Sequence, residues 1–127
     1  MKASELRLGN LINIGGNTLD TYQTYKPTKV TLAILNEIAR ENEERPDAEL
    51  SVFQPIPLTE DWLKRFGFAL FAWGWVKKSE NDIGFRISYP HLHFQRENEN
   101  PLKIQYVHQL QNLYFALTGE ELKLREE

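Results

Sequence analysis

Phe68-Ala69-Leu70-Phe71-Ala72-Trp73-Gly74-Trp75-Val76 is the densest apolar run of this chain. Read as one β-strand, it sends successive side chains to opposite faces, and here both faces are apolar. Phe68, Leu70 and Val76 fall on one side, and Phe71, Trp73 and Trp75 on the other. Few chains of 127 residues bury both sides of a sheet. One aromatic face is therefore expected to await a partner.

The surroundings of this run strengthen that expectation. Nine of the fifteen aromatic residues lie between Trp62 and Phe94. Residues 62–108 carry seven basic and four acidic side chains, net +3, whereas residues 1–61 sum to −4 and residues 109–127 to −2. A basic, aromatic centre is thus flanked by acidic ends. The overall charge of −3 argues against a dedicated duplex-DNA binder, which is usually basic.

Outward from the centre, patterning predicts the other elements. Residues 5–14 alternate, with Leu6, Leu8, Ile12 and Ile14 on one face, and Gly15-Gly16-Asn17 offers a turn into a second strand over residues 18–25. Pro27 is expected to end that hairpin. Thr31 is the candidate N-cap of a helix over Leu32 to Asn42, whose stripe is Ile34, Leu35, Ile38 and Ala39. The run Glu43 to Glu49 is acidic and broken by Pro46, as a solvated loop would be. Pro55 and Pro57 keep residues 52–58 extended. Thr59 then caps a short helix anchored by Trp62, Leu63 and Phe66 and stopped by Gly67.

After a polar loop at residues 77–82, Ile83, Phe85, Ile87 and Tyr89 alternate against Gly84, Arg86 and Ser88. Pro90 marks an edge or a bulge, beyond which the apolar parity switches to Leu92 and Phe94. A short strand over residues 102–104 leads to the clearest helix, Tyr106 to Thr118, ended by Gly119; Glu121 to Leu124 reads as a last edge strand. Because β-α-β alternation is missing, the expected fold class is α+β. It is a single domain over residues 1–127, an antiparallel β-sheet packed by the C-terminal helix, with two shorter helices.

The absence of cysteine excludes disulfides and thiolate zinc sites and suits a reducing compartment. The start, Met-Lys-Ala-Ser-Glu-Leu-Arg, has no apolar signal core, and no stretch approaches membrane-spanning length. A cytoplasmic location is expected, with no membrane partner.

Catalytic signatures are missing too. There is no Gly-x-Ser-x-Gly elbow, and Gly15-Gly16 lacks the Lys-Ser/Thr of a phosphate loop. Glu60-Asp61 and Glu120-Glu121 are adjacent pairs that diverge on a helix and serve more simply as helix-end charges. His91-x-His93 shares one strand face, but a third ligand would have to be His108 or a carboxylate, so edge histidines are the simpler account. No enzyme, cofactor or metal is expected.

Binding remains. Phe71, Trp73, Trp75, Lys77, Lys78 and Arg86 are the candidate partner-binding residues, since Trp, Tyr and Arg dominate interface hot spots. With Tyr89 and Arg96 nearby, stacking beside cations also suits single-stranded RNA or DNA, the alternative partner. The plainer account puts these rings in the core beneath the Tyr106–Thr118 helix, with Arg86 merely snorkelling. Self-association through an exposed strand is a third possibility.

Three segments carry a family resemblance. They are Ser4-Glu5-Leu6-Arg7-Leu8-Gly9-Asn10, Pro55-Ile56-Pro57-Leu58-Thr59-Glu60-Asp61-Trp62-Leu63-Lys64-Arg65-Phe66-Gly67-Phe68, and residues 106–122, YVHQLQNLYFALTGEEL. In order and spacing they resemble small, mostly uncharacterised accessory proteins of phages and prophages of bacteroidete bacteria. The resemblance spans nearly the whole chain but offers no catalytic residues to carry over. It implies a phage or mobile-element protein in a bacterial host cytoplasm that binds a host or phage protein, including a ribonucleoprotein. Inhibition of a defence system, as an anti-CRISPR protein would achieve, falls within that expectation. The chain departs from the pattern in a longer stretch around residues 40–50 and in its very aromatic run at 68–76.

Overall fold

The computed structural model describes residues 2–15, 25–44, 53–72, 74–81, 83–88, 92–94 and 102–125. Every strand pair in it is antiparallel, and three α-helices accompany the sheets, so the fold class is α+β as expected. The chain gathers into two compact units, residues 1–56 and 57–127.

In the first unit a 3-10 turn at Ala3–Glu5 precedes β1 (Leu11–Gly15), which lies between β2 (Tyr25–Lys29) and β3 (Phe53–Gln54). The expected first strand is thus shorter and begins later. Pro27 does not end its strand but sits inside β2 opposite Asn13. An edge position makes that acceptable, because a missing N–H there costs no ladder bond. The rest of the expected second strand, residues 18–24, lies outside the described residues. Helix α1 (Leu32–Glu44) begins where its pattern predicts and runs two residues further. The Thr31 hydroxyl accepts the Ile34 N–H at 3.3 Å, the expected cap. Ile38 joins Leu6, Ile12 and Val30 in a core against which Ile34, Leu35 and Phe53 pack.

The second unit contains α2 (Glu60–Arg65), β4 (Ala69–Phe71), β5 (Gly74–Lys78), β6 (Gly84–Ile87), β7 (His93–Phe94), β8 (Leu102–Lys103) and α3 (Val107–Thr118). Thr59 stands at the N-cap of α2, but its side chain makes no capping hydrogen bond. The chain then departs from the single aromatic strand that alternation predicts. It reverses between Phe71 and Gly74, which are register partners, so residues 68–78 form a hairpin. Gly74 permits this: its φ is 138°, and a Cβ there would overlap the Ile87 carbonyl oxygen and lie 3.2 Å from Ser88 Cα.

Sheet order β4-β5-β6 places Leu70, Trp75 and Ile87 in one cross-strand row, and Ala69, Val76 and Arg86 in the adjacent row on the other face. The first face is the core. Phe85 is its hub, with ring centroids 6.0 Å from Phe68, 5.1 Å from Phe94 and 5.5 Å from Tyr114. Tyr114 belongs to α3, so the C-terminal helix packs on this sheet as expected. Gln109 Oε1 accepts the N–H groups of Gln105 and Tyr106 at 2.9 and 3.1 Å and fixes the start of α3. Gly119, at φ 74°, ends it. Residues 121–124 are not the expected strand; Leu122 instead buries its side chain.

Candidate functional site

The hairpin divides the six candidate residues by side-chain parity. Phe71 stands on the outward face of the β4-β5-β6 sheet with 47% of its surface exposed, and Arg86 and Lys78 are exposed on the same face. Between them lie Ala69, Val76 and Gly84. A Cβ on Gly84 would meet nothing within 4 Å, so the face is open at this end of β6.

Trp75 does not join them. The expectation that its indole faces solvent is corrected, because it is 1% exposed, on the face that α3 covers. The physical reason is the reversal between the register partners Phe71 and Gly74. A continuous strand would have kept Phe71 and Trp75 on one face, whereas the hairpin sets Trp75 opposite Leu70 and beside Ile87. Its Nε1 finds no hydrogen-bond partner among the described residues. Trp73, Tyr89, His91 and Arg96 lie outside the described residues, as does the side chain of His93.

Lys77 shares the inward parity of Trp75 but sits nearer the end of β5, where it is half-buried. Its Nζ lies 3.1 Å from the position a Gly67 Cβ would take, beside the stem of Arg125. Lys77 and Lys78 both line a cleft of about 330 Å³ with Glu80, Tyr114, Glu120, Glu121 and Lys123. Its three lysines face three glutamates, so the cleft has no net charge to select a ligand. Glu120 has a structural task there. Its two carboxylate oxygens accept the N–H groups of Glu80 and Asn81 at 3.0 and 3.1 Å, closing the β5–β6 turn. Ser79 completes the turn, its hydroxyl accepting the Ile83 N–H at 3.0 Å. Burial, and then the charges of Glu120 and Glu80, raise the pKa of Tyr114 above 10.0 and keep it a neutral phenol.

His108 offers no accessible ligand. It is buried, and its ring stacks on that of Tyr106 with centroids 5.9 Å apart. Among the described residues no three His, Cys, Asp or Glu side chains cluster as a metal site would require. Among the described residues no helix is long and apolar enough to cross a membrane.

One contact escaped sequence reasoning. Arg65 lays its guanidinium 4.2 Å from the Trp62 ring centroid, a pairing that the three-residue spacing on α2 permits. The face that emerges is built from Phe71, Val76, Arg86 and Lys78, on strands that hold cations and no carboxylate. No protein-family model, curated protein or solved structure matches this chain.

Proposed function

We propose that this chain is a non-catalytic binding protein that engages a macromolecule through the outward face of the β4-β5-β6 sheet. Phe71 and Arg86 are the central contacts, and Lys78 flanks them. One observation carries this reading: α3 packs on the inward face through Tyr114 and Phe85, while the outward face exposes Phe71 beside Arg86 and Lys78 on strands without an acidic residue. An aromatic anchor beside an arginine is the composition that interface hot spots favour. The resemblance to phage and prophage accessory proteins supports a mobile-element protein acting in a bacterial host cytoplasm. There it would bind a host component and inhibit a defence system such as a CRISPR effector.

Single-stranded nucleic acid is the second candidate partner, since the same cations attract phosphate. It is less favoured because Trp75 is turned inward. Phe71 is then the one stacking ring on this face among the described residues. Tagged parent protein and the Phe71→Ala/Arg86→Glu variant, incubated with nuclease-treated bacterial lysate, test the role. A partner retained by the parent and lost by the variant supports it. Retention by both overturns it, and retention only without nuclease transfers the site to nucleic acid. A second copy as partner would appear as a dimer by light scattering.

A further inference from the structure

We draw no further inference here: the strongest candidate, the cleft of about 330 Å³ between the end of β5 and the residues after α3, carries nothing because its three lysines are matched by three glutamates, of which Glu120 is already engaged by the turn amides, so nothing in the structure selects what would fill it.

Discussion

Replacing Trp75 separates a core indole from an interface indole, and two substitutions together do so with opposite expectations. Trp75→Ala removes a side chain that is 1% exposed, packed in a row with Ile87 and Leu70. Truncation of a buried tryptophan costs about 3–5 kcal/mol through lost transfer energy and an unfilled cavity. The same indole carries an N–H without a partner among the described residues, and such a group costs about 1–3 kcal/mol to bury. Trp75→Phe discards that donor and keeps most of the ring. Its smaller volume costs about 1 kcal/mol, so gain and loss nearly cancel. Urea unfolding followed by circular dichroism is the assay, with the midpoint read at constant m-value. Trp75→Ala should lower the unfolding free energy by at least about 3 kcal/mol, whereas Trp75→Phe should stay within about 1 kcal/mol of the parent. An alanine variant as stable as the parent would mean that the indole is at the surface. Equal large losses in both variants would mean that Nε1 is bonded and that the orphan donor was misjudged.

Three further outcomes follow from the same geometry. Phe71→Ala and Arg86→Glu should each leave stability within about 0.5 kcal/mol, because both side chains are exposed, and the urea midpoint checks this. Gly74→Ala should cost at least about 2 kcal/mol in the same assay, since a Cβ at φ 138° would collide with the Ile87 carbonyl. Tyr114, with a folded pKa above its ordinary 10.0, stabilises the fold fully below that pH and loses the contribution as pH rises through the raised value. Glu120→Gln should therefore move its phenolate transition, isolated by difference from Tyr114→Phe, back toward 10.0; an unmoved transition would leave burial and the charge of Glu80 as the causes.

Much of the architecture is legible in the sequence where one physical signal dominates. The helix over Val107–Thr118 follows from its apolar stripe and Gly119, and α1 from Thr31 and Ile38, because capping and helical periodicity point the same way. The aromatic run misleads because alternation cannot distinguish a nine-residue strand from two short strands joined across two residues. The mark of the break is Gly74, which reads as a strand interruption only once its close approach to Ile87 is known. That misreading carried Trp75 to the wrong face and separated it from Phe71. Lys77 and Lys78 looked like loop residues because they are adjacent and charged, yet they end β5, where one faces inward toward Gly67 and the other outward. Pro27 misled for the opposite reason: proline excludes only a central strand, and edge position is a tertiary property.

The segment after α3 explains how the sheet stays ordered while Phe71 and Arg86 stand exposed on its outward face. Among the described residues, its bracing comes from the inward side and from its turn. Glu120 grips the β5–β6 turn through the amides of Glu80 and Asn81. Thr118 supports that grip, its hydroxyl donating to the Tyr114 carbonyl at 2.7 Å and accepting the Glu120 N–H at 3.1 Å. Leu122 is buried, and the Arg125 N–H donates to the Arg65 carbonyl at 2.7 Å, tying the same segment to the end of α2. All of this bracing is applied from the inward side and at the turn. The outward positions of Phe71, Val76 and Arg86 are thereby held in register while Phe71 and Arg86 stay exposed, which is the condition that the docking role proposed above would require.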